Sequence, residues 1–301
     1  MITSLAHLTP HSTTYSLSIL HHRDIPRYRR NIQSKRTIMA SFSAAASSDL
    51  LEAAKHTVDN YVTSDMVIGL GSGHASNLAI QHLGQKLRQG CLTNILGIPT
   101  SVASASVATK AGIPVDKYED NMQIDFAFVD ADVVEEGTLA AVIGRRKIEG
   151  DESIIEEKCI MRTARNLVFM VNEKQYTKHA DGSIPVLVKT GNWLEAAEEI
   201  DDLFLGDAEV WRRPTHGHAD PLGGNFPLVT KEGHYVLDVI FTSPILDLVV
   251  FYLMDTAEVA KTLDEIDGVV NHGVISGIDC TAIVASTTGI IVINNLSKLH
   301  S

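Results

Sequence analysis

The chain has 301 residues, 45% of them hydrophobic and 21% charged, with a formal net charge of −12. Such proportions describe a soluble globular protein of one or two domains. No apolar run approaches the ~18 residues needed to span a membrane; the longest candidate, residues 248–254, is bounded by Asp247 and Asp255. Cys91, Cys159 and Cys280 are too widely spaced for a metal motif or a disulfide framework, which points to a reducing compartment.

Residues 1–48 differ from the rest. They carry six basic residues (Arg23, Arg27, Arg29, Arg30, Lys35 and Arg36), one acid, Asp24, and many hydroxyl side chains. That composition is expected of an organelle transit peptide, the alternative being a disordered cytosolic tail. Without the segment, the 25 basic residues become 19 and the 37 acidic ones 36, a net charge of −17. So acidic a chain repels nucleic acid and anionic membranes, and neither is expected as a partner.

A helix is expected to begin at Asp49, with Glu52 three positions on and Leu51, Ala54, Val58 and Val62 on one face. The pivotal stretch follows. Val67 and Ile68 suit a buried parallel strand, and Gly69, Gly71 and Gly73 stand at alternate positions before a helical pattern over residues 76–87. Such a strand, loop and helix points backbone N–H groups and a positive helix end at one place, as a phosphate requires; a merely packed glycine turn is the alternative. The glycines fit neither G-x-G-x-x-G, since His74 and Ser76 fall where the third glycine belongs, nor a P-loop.

Further strands are expected at 93–98, 124–129 and 168–171, with helices at 101–111 and 151–167. Strands alternating with helices imply a Rossmann-like parallel sheet whose ligands collect at the carboxyl ends of the strands. The loops after Leu70 and Val129 then share one edge. Strands at 184–189, 208–212 and 235–241, with helices at 192–204 and 256–266, suggest a smaller α+β domain. The last strands, 282–285 and 289–293, are expected to rejoin the large domain. The expected division is a transit peptide at 1–48, a catalytic domain at 49–183 completed by 268–301, and the small domain at 184–267. His216-Gly217-His218-Ala219-Asp220 reads as a loop rather than a metal site, because no second cluster supports it.

Gly69-Leu70-Gly71-Ser72-Gly73 resembles the G-L-G-T-G opening of the type A ribose-5-phosphate isomerases, and Gly97-Ile98-Pro99-Thr100-Ser101 resembles their G-I-P-T-S segment. Gly268-Val269-Val270-Asn271-His272-Gly273 resembles their closing G-V-V-x-H-G, and Pro185-Val186-Leu187-Val188 their P-V-E-V. The resemblance runs from about residue 50 to about 291. It implies an aldose–ketose isomerase of pentose-phosphate metabolism, located in a plastid. It also implies a sugar-phosphate substrate, no metal or redox cofactor, and assembly as a homo-oligomer.

The reaction moves a proton between adjacent carbons through an enediol, so it needs a carboxylate base, oxyanion donors and a grip on the phosphate. The family draws these from D-G-A-D-E and K-G-x-G-G-A-L-x-R-E-K. Here the first reads Val129-Asp130-Ala131-Asp132-Val133, with Val129 in place of the first Asp and Asp130 in place of Gly. The second runs from Lys147 to Lys158, keeps Gly150 alone of the glycines, and ends in Glu157-Lys158. The resemblance thus implies Glu157 as base, with Glu156 left open across an inserted residue, and Asp132 and Lys147 beside it. It implies substrate contacts from Gly71, Ser72, Gly73, His74, Ser76, Asp130, Ala131 and Lys174. A solvated acid at Glu157 and a solvent-facing His74 are the plainer alternatives. A catalytically weak paralogue that binds a sugar phosphate or a protein stands against the working isomerase. A dinucleotide-dependent dehydrogenase is disfavoured by the missing third glycine.

Overall fold

The computed structural model describes residues 48–120, 122–145, 153–204, 206–216, 226–242 and 255–295. The transit-peptide expectation (but for residue 48), Lys147, the 248–254 run and His218 and Asp220 lie outside those residues. Among the described residues no helix is long and apolar enough to cross a membrane.

The first sheet carries the pivotal stretch. β1 (Val67–Leu70) lies between β2 (Leu96–Pro99) and β3 (Ile124–Asp130), parallel to both. The chain crosses between them through α2 (His74–Arg88) and α3 (Val102–Ala111). Helix α1, residues 48–61, precedes β1. Alternation along β3 divides its side chains between two cores. Phe126 and Phe128 pack with Ala54, Val58, Ile80 and Leu83 of α1 and α2. Ala127 and Val129 pack on the opposite face with Met161 and Phe169. Both faces are therefore covered, as a parallel sheet requires, and each fully buried Phe or Leu contributes about 1.5–3 kcal/mol.

Two short strands follow β3, β4 (Val133–Glu135) and β5 (Ala141–Val142), and then α4 (Ile154–Thr163). The helix is shorter than the expected 151–167. Ser153 caps it, its hydroxyl accepting from the Glu156 amide at 3.1 Å. Ala164 is already extended and pairs with Ile124, so the chain turns at once into β6 (Ala164–Asn172). Tertiary pairing here overrides a helical pattern in the sequence.

Beyond β7 (Tyr176–Thr177) the chain builds an antiparallel sheet from β8 (Gly182–Lys189), β9 (Ala208–Arg212), β10 (His234–Phe241) and β11 (Val269–His272), in the order β11-β8-β10-β9. α5 (Trp193–Leu203) and α6 (Thr256–Glu265) close one face of it, through Ala196, Ile200, Val259 and Leu263 on Ile184, Val186 and Val239. β11, grouped from sequence with the large domain, pairs with β8 instead. After β12 (Val274–Ile275), β13 (Cys280–Ser286) and β14 (Gly289–Asn294) return to the first sheet, whose order is β14-β13-β6-β3-β1-β2. The two- and three-residue strands β12, β5, β4 and β7 form a third sheet, too short to leave a period-2 signature in sequence.

Candidate active site

The carboxyl ends of β2, β1, β3 and β6 open on one edge. Backbone bonds carry the ladder past the last strand residues: Gly71 N donates to Phe128 O at 2.9 Å, and Thr100 N to Leu70 O at 2.9 Å. Gly71 has to be glycine, because a Cβ there would stand 2.5 Å from Phe128 O and 2.6 Å from Val129 Cα. Gly73 has φ 127°, in the region that favours glycine, and a Cβ on it would meet the Asp130 carboxyl carbon at 2.4 Å.

Gly73 is the N-cap residue of α2 and has no side chain with which to cap it. Asp130 does so from the end of β3. Its carboxylate accepts from Ala75 N at 3.0 Å, Ser76 N at 2.7 Å and Ser76 Oγ at 2.6 Å. The positive end of α2 thus holds an anion, and that anion is the chain's own. His74, the first residue of α2, is exposed.

α4 brings in the carboxylates. Glu157 Oε1 lies 3.5 Å from Ser72 Oγ, over the glycine loop. Glu156, one position earlier, forms an ion pair with Lys231, so consecutive side chains leave the helix in different directions, about 100° apart. The next residue, Lys158, is buried and donates from Nζ to the His272 carbonyl at 2.7 Å. Burial, the main cause, brings its amine down to about 7.

Asp132 stands at the start of β4. Its Oδ2 accepts from the Arg145 amide at 2.9 Å, and its own amide donates to Val142 O at 2.8 Å. The Arg145 side chain turns away to the Ser183 and Asp181 carbonyls; burial lowers its pKa, against the pull of Asp132, Asp181 and Asp238. The Ala131 carbonyl is held by Gln175 Nε2 at 2.6 Å from the turn after β6. Lys174, in the same turn, is exposed, and its amide donates to Asn172 Oδ1 at 2.9 Å.

The structure therefore brings Ser72 to Glu157, and Gly73 and Ser76 to Asp130, around one edge. Asp132 is tied to the segment that leads on to Lys147. Two further side chains join this edge to its surroundings, Gln175 through the Ala131 carbonyl and Lys158, which directly follows Glu157 in the E-K pair, through the His272 carbonyl. Among the described residues no three His, Cys, Asp or Glu side chains are grouped to hold a metal ion. What the arrangement offers is a carboxylate facing a glycine-rich loop, able to move a proton on a small molecule seated there.

Such a site on the carboxyl edge of a doubly covered parallel sheet defines an α/β protein that handles small ligands in the crevice beyond its strands. Residues 96–289 match the family ribose 5-phosphate isomerase A (phosphoriboisomerase A), and the chain belongs to that family. It is 29% identical over 248 residues to ribose-5-phosphate isomerase A of Synechococcus sp. (strain JA-3-3Ab), covering 82% of this chain and 97% of that one. It is 30% identical over 248 residues to probable ribose-5-phosphate isomerase 2 of Arabidopsis thaliana, covering 80% and 85%. Among solved structures, ribose 5-phosphate isomerase A from Methanocaldococcus jannaschii superposes with a TM-score of 0.66 at 28% identity, covering 82% of this chain and 98% of that one. A D-ribose-5-phosphate isomerase in complex with phospho-erythronic acid gives 0.68 at 26% identity, with the same coverages.

Proposed function

We propose that the chain interconverts ribose 5-phosphate and ribulose 5-phosphate, with Glu157 as the carboxylate that moves the proton between C1 and C2. The observation that carries the reading is the 3.5 Å approach of Glu157 Oε1 to Ser72 Oγ: the one acid of the helical stretch that matches the family's E-K faces the loop that matches its glycine motif. Asp132 and the 71–76 loop complete the assignment, with Lys147 on the adjoining segment. The relatives' names and the phospho-erythronic acid complex support a sugar-phosphate ligand. The test is a coupled assay of the purified chain with ribose 5-phosphate; no turnover above a Glu157→Gln control would reject the assignment.

One observation favours a second reading, a weak or inactive paralogue that still binds a sugar phosphate. Two of the first-turn amides that α2 offers an anion, those of Ala75 and Ser76, already hold Asp130. A phosphate arriving there meets a like charge. Measured affinity for ribose 5-phosphate without turnover would support this reading. We further propose a plastid location, on the basic, acid-poor composition of residues 1–48 and the plant relatives; a reporter fused to that segment and found in the cytosol would reject it.

A further inference from the structure

Three consecutive residues of α4 reach three different elements. Glu156 pairs with Lys231 in the turn before β10, Glu157 faces Ser72 of the glycine loop, and Lys158 donates to His272 at the end of β11. The helix's first turn has a second tie to the same turn, since the Ser153 hydroxyl bonds to Glu232. Glu156 and Ser153 hold the outer start of the helix; Lys158 holds its buried side.

We propose that Lys158 is a positioning residue, holding α4 to the His272 carbonyl so that the Glu157 carboxylate stands at working distance over the glycine loop. This rests on Glu157 being the base. A helix that needed only a filler here would take Met or Leu, which bury without desolvating an amine. The chain instead buries a lysine at 2% exposure, and its amine donates to a backbone carbonyl. That acceptor is itself fixed. His272 is 1% exposed, its Nδ1 accepts from Val274 N at 3.1 Å, and its Nε2 stands 3.1 Å from Asp264 Oδ1.

Charged groups around the amine act in both directions. Burial and Arg162 lower its pKa, while Asp264 and Cys159 raise it, with a balance near 7. Burial, then Lys158, holds the His272 ring down to about 4, against Asp264. Near neutral pH the ring is therefore neutral. The amine donates an N–H to the carbonyl in either protonation state.

The experiment compares the purified full chain with its Lys158→Met, Lys158→Gln and Glu157→Gln variants. Lys158→Met is expected to lower kcat roughly 10- to 100-fold while KM stays within about threefold, the mark of a misplaced base rather than lost binding. Lys158→Gln keeps an N–H donor and is expected to recover part of that loss. An independent reading is the Glu157 carboxyl titration by ¹³C NMR, expected to move by more than about half a pH unit in Lys158→Met as its surroundings change. A purely structural lysine would lower the melting temperature and leave kcat per folded molecule and the titration unchanged, which would overturn the proposal. If Lys158→Met fails to fold, the same two readings on Lys158→Gln decide. If the wild type shows no turnover, the isomerase assignment fails by itself, and the carboxyl titration alone decides whether Lys158 sets the position of Glu157.

Discussion

Ser76 donates twice to the same oxygen of Asp130, from its amide at 2.7 Å and from its hydroxyl at 2.6 Å. The end of β3 is thereby latched to the first turn of α2, across a glycine that cannot cap the helix itself. The carboxylate stabilises the helix by completing its free amides and answering its dipole. It also stands where an incoming phosphate would seek the same donors.

Two effects of opposite sign are expected at Asp130. Asp130→Ala should lower stability by about 1–2 kcal/mol, the cost of losing a charged helix cap, read as a lower denaturant midpoint. Asp130→Asn removes the charge and keeps an acceptor. Two unit charges 4 Å apart interact by about 1–4 kcal/mol between bulk water and a protein surface, so affinity for ribose 5-phosphate should rise roughly tenfold, about 1.4 kcal/mol. Calorimetry showing unchanged or weaker binding would place the phosphate away from the start of α2.

Asp130 also sets the cost of placing a side chain at Gly73. The structure puts any Cβ at Gly73 2.4 Å from the Asp130 carboxyl carbon, at φ 127°. Gly73→Ala should therefore cost about 1–3 kcal/mol of stability from the backbone alone, and more from the collision. In an Asp130→Gly background the collision is gone, and the cost of Gly73→Ala should shrink, since residues in contact couple. Equal costs in both backgrounds would show that the contact carries no strain.

The parallel sheet was legible because its strands are doubly buried: the runs at β1, β3 and β6 are apolar without alternation, and glycines or caps punctuate the ends. The meeting of the 71–76 and 130–132 loops at one edge followed from parallel topology alone. The pairing of Asp130 with Ser76 did not, because it joins residues 54 apart through a geometry set by which face of β3 Asp130 occupies. Its parity with Phe126 and Phe128, which face α2, was the available signal. The direction of Glu157 was legible only to within the choice between it and Glu156. Helical phase around α4 depended on where the helix began, and Ser153, not a residue at 151, is its cap. The short strands of the third sheet left no trace in sequence at all.

His272 should make the fold sensitive to mild acid. Its pKa in the folded chain is about 4, against 6.5 for the free ring, chiefly through burial. Between those values the unfolded chain binds the proton first, so stability rises with pH. The contribution is whole above pH 6.5 and is lost as pH falls through about 4. His272→Asn removes the titration and keeps an oxygen that can accept from Val274 N. Urea midpoints measured from pH 7 to 4 should fall more steeply in the wild type than in this variant. Parallel curves would mean that His272 titrates normally in the folded chain.

The two neighbouring glutamates give the most direct test of the site. Glu157→Gln keeps the shape and the approach to Ser72 and removes the basicity. Loss of a general base costs typically 10²–10⁴-fold in rate, so kcat for ribose 5-phosphate should fall about that far while ligand affinity stays within severalfold. Glu156→Gln removes an ion pair whose two side chains, Glu156 and Lys231, are each 34% exposed. Pairs so open to water contribute about 0–1 kcal/mol, and kcat should change less than about twofold, the pair being one of two ties at the start of α4. The order matters because the sequence admits either acid as base across the residue inserted before α4. A variant series in which Glu156→Gln abolishes turnover and Glu157→Gln does not would turn α4 by a residue about its axis. It would then be Glu156 that leaves Lys231 to face the substrate, and the 3.5 Å approach of Glu157 to Ser72 would be a resting contact rather than the working one.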